Sequence, residues 1–166
     1  MNMDKQLSTW LSKNYIHYTL HTHPAVFTVP EAKIHCGHIS GAHCKNLLLK
    51  NKKTEQIYLI TIPYNKRLNL KEFRKMISAP KVRFADEEDL SGVLGLEPGS
   101  VSPLGLINDH KNLVIFWIDE EIWNSEIICC HPNINTETLQ IPKEDFHKII
   151  NLTGNNFAIK NDLPYI

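Results

Sequence analysis

Apolar residues in this chain come in short runs, at residues 47–49, 57–62, 113–118 and 126–130, and polar or turn-forming residues follow each of them. Runs of that length read as buried strands, and segments with helical apolar spacing lie between them. Strands and helices mixed without strict strand–helix–strand alternation predict an α/β mixed fold, with one central mixed β-sheet surrounded by helices. At 166 residues the chain is long enough to bury a core and is expected to form a single domain over 1–166, since no linker composition interrupts it. Its apolar stretches fall well short of the ~20 residues that span a bilayer. The opening Met1-Asn2-Met3-Asp4-Lys5 has no apolar signal core. A cytoplasmic location with no membrane partner is therefore expected.

The local patterns place the elements. Leu7, Trp10 and Leu11 follow Asp4 at helical spacing, and residues 15–21 alternate like a strand. Residues 30–36 suit a short helix that Gly37 stops. The strands at 47–49 and 57–62 should pair through the polar turn Asn51-Lys52-Lys53-Thr54. Asn69, with Glu72 three residues on, caps a helix whose Leu70, Phe73 and Ile77 face inward. Lys71, Arg74 and Lys75 then form a basic ridge outside. Asp86 opens another helix that buries Leu90, Val93 and Leu94 and ends at Gly95. After strands at 113–118, 126–130 and 138–141, Pro142 is expected at the first position of a last helix, which Gly154 follows.

Charge is balanced overall but not locally. Residues 45–83 carry eleven Lys/Arg against two Asp/Glu, whereas residues 84–121 carry one against nine. Such halves suit either a polyanion meeting one face or two solvated surfaces that pair with each other. The four cysteines do not read as a disulfide framework. Cys129 and Cys130 are adjacent in a strand, where their side chains point to opposite faces, and Cys36 and Cys44 flank a glycine-containing loop. Reduced thiols are expected.

Three segments carry chemistry. Cys44-Lys45-Asn46 leads into the apolar Leu47-Leu48-Leu49, so the Lys45 ammonium is a candidate for partial desolvation and for holding a phosphate or a developing oxyanion. A lysine stem that merely snorkels to solvent is the alternative. His131-Pro132-Asn133-Ile134-Asn135-Thr136 closes another apolar run and offers either a site histidine or Asx-turns that start the next strand. Gly99-Ser100-Val101-Ser102-Pro103 is a turn whose backbone amides can aim at a carbonyl, with Pro103 locking the loop. His21, His23, His35, Cys36, His38, His43 and Cys44 also crowd the first third of the chain, but without a CxxC or HExxH spacing. There is no GxSxG elbow, Walker loop or dinucleotide fingerprint.

Taken in order, the segments 21–28, 36–46, 96–109 and 131–136 resemble the YbaK/ProX-type aminoacyl-tRNA editing domains, most closely the freestanding prolyl-tRNA deacylases of the alanine-specific type. The resemblance implies a central, partly barrel-like sheet and trans-editing of mischarged proline tRNA, chiefly Ala-tRNAPro. Water would be the nucleophile, helped by the ribose hydroxyl next to the ester, with no metal and no cofactor. It assigns Lys45 to the essential lysine and Asn46 to its companion. Gly99, Ser100 and Pro103 fall in the loop that holds the substrate carbonyl, and His131, Phe27 and Thr28 fall in the amino-acid pocket. Lys66, Arg67, Lys71, Arg74 and Lys75 would meet acceptor-stem phosphates. The expected partners are mischarged tRNAPro and, transiently, prolyl-tRNA synthetase, with the chain a monomer. Two readings stay open beside it: the same fold acting on Cys-, Ser- or Thr-charged tRNA, and a non-catalytic module that binds tRNA or the synthetase. The histidine density around 35–43 exceeds what the resemblance leads one to expect and keeps a metal reading open.

Overall fold

A computed structural model describes residues 2–166. Its elements run in the order α1 (Lys5–Lys13), β1 (Thr19–Thr22), α2 (Val29–Cys36), β2 (Ala42–Asn51), β3 (Ile57–Pro63), α3 (Leu70–Met76), β4 (Val82–Phe84) and α4 (Glu87–Leu94). A 3-10 helix (Pro103–Asn108) follows, then β5 (Val114–Asp119), α5 (Glu120–Trp123), β6 (Ile127–Cys130), β7 (Glu137–Pro142), α6 (Lys143–Thr153) and β8 (Phe157–Lys160). The strands form one mixed sheet in the order β1-β7-β6-β2-β3-β5-β8, with β4 paired to β2 off that path. Helices flank it, as the mixed pattern predicts.

β2 is the strand that organises the site. One of its edges runs antiparallel to β3 from Cys44 to Lys50. The other edge pairs with β6 in parallel at Ala42 and His43, and with β4 antiparallel at Leu49, Lys50 and Asn51. Residues 44–47 have no strand on that second edge, because β6 and β4 diverge there. A sheet that splits in this way leaves a crevice at the point of divergence, the place where open α/β sheets bind ligands.

Apolar side chains fill both faces. The larger cluster joins α1 (Leu7, Leu11) and α6 (Phe146, Ile149, Ile150) to Leu48, Leu59, Phe116, Ile118, Leu139 and Ile141. The smaller one packs Leu49, Ile60, Ile62 and Phe73 together with Leu163. Tyr58, Phe73 and Trp117 meet edge to face there, with centroids 5.5–5.8 Å apart, a geometry that the ring quadrupoles favour. A third group, Val26, Cys36, Ile39 and Cys129, sits beneath α2. Cys129 and Cys130 thus belong to opposite faces, and all four thiols are free.

Several boundaries differ from the sequence reading. β2 extends back to Ala42, so Lys45 and Asn46 lie inside a strand rather than before one; pairing with β3 outweighs the poor strand preference of Lys and Asn. β1 is shorter than 15–21, because Tyr15 adopts a φ of 57° and Ile16 donates to Leu11, turning the chain after α1. Pro142 caps α6 from the residue before its first turn, since it is still the last residue of β7. Gly37 ends α2 in the right-handed region, without a left-handed turn. β4, the 3-10 helix and β8 were not apparent in the apolar pattern.

Candidate active site

A cavity of about 320 Å³ opens at the split in the sheet. β2 supplies His43, Cys44, Lys45 and Asn46; β6 and the residue after it supply Cys129, Cys130 and His131. α2 and the segment before it form one wall, and Gly99 and Val101 another. Lys45, Asn46, Gly99, His131, Phe27 and Thr28 are therefore brought together from four distant stretches of chain.

Lys45 is half-buried. It has no carboxylate or hydrogen-bond acceptor within reach among the described residues. Burial lowers its pKa below the ordinary lysine value, and the neighbouring Arg67 charge adds to the effect. An ammonium with poor hydration and no counter-ion is an anion-binding group by default. Asn46, next in the strand, accepts a hydrogen bond from the buried Thr61 hydroxyl at 2.7 Å. That bond fixes the amide plane and leaves the Asn46 Nδ2 hydrogens without a partner among the described residues.

His131 is held by its Nδ1–H, which donates to the Glu137 carbonyl at 2.9 Å. Since a carbonyl only accepts, Nδ1 carries the proton and Nε2 keeps its lone pair. Burial lowers the His131 pKa, although the Glu137 bond opposes the shift, and His23 and His43 lower it further. The ring is consequently neutral at neutral pH, with His23 tilted beside it at 6.0 Å.

The 99–103 loop divides in function. Gly99 sits at φ 84°, a left-handed conformation that favours glycine. A Cβ at Gly99 would also stand 3.2 Å from Phe27 Cδ1. The Gly99 and Val101 amides donate to no acceptor among the described residues. Ser100 is buried, and its amide is spent on the Glu97 carbonyl at 3.1 Å. Pro103 is buried too and opens the 3-10 helix, where the Ser102 hydroxyl caps the Leu104 amide. Neither Ser100 nor Pro103 lines the cavity; both hold the loop from behind.

Thr28 has a structural duty besides lining the cleft. Its hydroxyl caps α2 by accepting from the Glu31 amide, while the Glu31 carboxylate accepts from the Thr28 and Phe27 amides at 3.0 and 2.7 Å. This capping box fixes the entry to α2. Phe27 is 68% exposed, a large ring at the rim of the cleft.

The proposed basic ridge is uneven. Lys66 is drawn to Glu121 at 2.9 Å and Asp119 at 3.8 Å, and Lys75 pairs with Glu72 one helical turn back at 2.8 Å. Arg74 donates to the Pro80 carbonyl. Arg67 and Lys71 have no ion-pair partner among the described residues. The acidic half of the chain thus neutralises part of the basic half, because α5 folds beside the loop that carries Lys66.

The histidine-rich segment does not converge. His21 pairs with Gln140, His23 with Thr138 and the Pro24 carbonyl, and His43 with the Ile39 carbonyl. Among the described residues no three His, Cys, Asp or Glu side chains are grouped in a way that could hold a metal ion. Sequence reasoning missed Lys33, Tyr64 and Thr138 as cleft residues. Nothing in their local sequence marks them, since only the packing of α2 and β7 against β2 brings them together. All four cysteines line the same cavity. Burial pushes the Cys129 thiol up to about 12, and contact with Cys44 together with full burial raises that of Cys130.

Residues 23–149 match the aminoacyl-tRNA editing domain family. The chain is 34% identical over 143 residues to the prolyl-tRNA editing protein ProX of Acetoanaerobium sticklandii, covering 86% of this chain and 87% of that protein. It is likewise 34% identical over 155 residues to the prolyl-tRNA synthetase associated domain-containing protein 1 of Danio rerio, covering 92% and 84%. A solved structure described as a proposed trans-editing enzyme for prolyl-tRNA synthetase superposes with a TM-score of 0.67 at 19% identity, over 95% of this chain and 98% of that one. This last likeness concerns the fold alone. No helix among the described residues is long and apolar enough to cross a membrane.

Proposed function

The chain belongs to the aminoacyl-tRNA editing domain family, with relatives tied to prolyl-tRNA editing, and on that premise we propose that it hydrolyses the ester of alanine wrongly joined to proline tRNA. The observation that carries this reading is the half-buried, unpartnered Lys45 ammonium, which shares one cleft with the free amides of Gly99 and Val101.

In the proposed reaction the 3′-terminal ribose ester enters the cleft with its carbonyl toward Lys45 and the Gly99 loop. Water adds to the carbonyl carbon, helped by the ribose hydroxyl next to the ester. The tetrahedral oxyanion is stabilised by the ammonium and the loop amides, which are in place beforehand. Collapse releases alanine and returns a proton to the ribose oxygen. Asn46 Nδ2 is a further donor within the same cleft. His131, neutral and fixed by Glu137, bounds the amino-acid pocket with Val26, Ala32, Cys36 and Cys129. A methyl side chain fits such a wall more readily than the ring of proline. Since one methylene is worth only about 1–3 kcal/mol through binding, steric exclusion must supply the rest of the discrimination.

The test is deacylation of proline tRNA charged with alanine, serine, cysteine or proline. Loss of alanine with proline spared supports the reading. Hydrolysis of another amino acid moves the substrate within the same chemistry. Tight tRNA binding without hydrolysis of any ester overturns it in favour of a binding module.

A further inference from the structure

The mouth of the cleft carries more cationic character than ester hydrolysis needs. Lys33, in the last turn of α2, holds its Nζ 5.4 Å from the centre of the Tyr64 ring. Tyr64 follows β3 directly, its amide donates to the His43 carbonyl, and its ring meets His43 edge-on at 6.0 Å. Arg67 lies three residues further along and is near enough to Lys45 for their charges to repel. Neither Lys33 nor Arg67 has an ion-pair partner among the described residues. Lys33 and Tyr64 both line the cavity that Lys45 also lines. In a protein with no net formal charge, Lys33 and Lys45 left without carboxylates in one cleft, with Arg67 close enough to act on Lys45, are a departure that calls for an anion.

Resting on the deacylase reading, we infer that Lys33, seated on the Tyr64 ring, and Arg67, beside Lys45, form a phosphodiester anchor for the nucleotide that bears the ester. The cleft therefore takes a 5′-phosphorylated aminoacyl nucleotide at the end of a chain, and the bare aminoacyl nucleoside is a poor substrate. Charge complementarity favours this occupant, because two cations without carboxylate partners among the described residues match the phosphate of that nucleotide, while the ester itself has no negative charge. The cation–π contact holds the Lys33 stem against Tyr64 and so limits the entropy lost when a phosphate arrives.

The test compares three esters: alanyl-adenosine, alanyl-adenosine 5′-monophosphate and alanyl-tRNAPro. Wild-type protein should prefer the phosphorylated ester over alanyl-adenosine. K33Q and R67Q should each reduce that preference, measured as a ratio of kcat/KM, by about tenfold, the usual scale for a charge-assisted contact. Each should also flatten the salt dependence with alanyl-tRNAPro by about 0.7 in log–log slope, as expected for one single-strand phosphate contact. K111Q, an exposed position outside the cleft, should leave the ratio at the wild-type value. A wild-type protein indifferent to the phosphate, or variants that lose both esters equally, would overturn the inference while leaving the deacylase reading intact. If no ester is hydrolysed, the affinity for a 5′-phosphorylated CCA trinucleotide decides instead. A tenfold weaker Kd in K33Q and R67Q supports the anchor, and equal affinity refutes it.

Discussion

Replacing Lys45 by Met separates fold from function. The side chain sits mid-strand in β2, where the backbone is paired with Ile62 across the ladder to β3, and methionine of similar length keeps that pairing. The substitution removes an ammonium that is half-buried, lacks a counter-ion and is repelled by Arg67. Its loss costs no ion pair, so stability should stay within about 0.5 kcal/mol of wild type or rise. Turnover should collapse. A preorganised donor to an oxyanion is worth about 2.7–4 kcal/mol, a loss of roughly 10²–10³ in rate. The lowered pKa gives a further signature. In the lysine range the unfolded chain binds more protons than the folded one, so wild-type stability should gain on K45M as pH rises between the folded and unfolded values. Activity should fall over the same rise, as the ammonium is lost. Urea unfolding across pH, combined with single-turnover deacylation, measures both. A K45M protein that loses more than about 1 kcal/mol of stability, or that keeps its turnover, would refute the argument.

Further outcomes follow from the same geometry. Gly99→Ala forces a left-handed conformation on a residue with a Cβ and should cost about 1–2 kcal/mol, read by thermal unfolding, with a larger proportional loss in deacylation as the loop amides move. Thr28→Ala removes the cap of α2 and should cost about 1 kcal/mol by urea unfolding. Phe73→Ala, at the centre of the Tyr58–Trp117 cluster, should cost about 3–5 kcal/mol in the same assay. The lowered His131 pKa means that the unfolded state takes up protons first on acidification. Stability should therefore fall as pH drops below about 6.5, and His131→Asn should flatten that dependence. Cys129, its pKa pushed up to about 12, should react with a thiol reagent at pH 8 only as fast as the protein unfolds.

Much of the scaffold is legible in the chain because it is decided over a few residues. Asn69 and Asp86 cap α3 and α4 where the pattern places them, and Gly95 and Gly154 end their helices in the left-handed conformation. The paired strands β2 and β3 follow from two apolar runs and a polar turn. These features depend on hydrogen bonds and side-chain spacing between near neighbours. Lys45, Gly99 and His131 also stand out in the sequence, each as a polar residue or special turn beside an apolar run. What escapes local reading is whatever depends on register between distant segments. β4 and β8 are three and four residues long and gain their strand character from partners far away. The ridge cations looked alike in sequence, yet Lys66 is neutralised by Glu121 across 55 residues while Arg67 has no ion-pair partner among the described residues. The sequence by itself determined the longer strands and helices, the caps of α3 and α4, and the residue types the chemistry needs. The split between β6 and β4 on one edge of β2, the burial of Lys45 at that split, and the choice of which charges stay free came only with the tertiary structure, because burial and Coulomb energy depend on distances that chain order does not set.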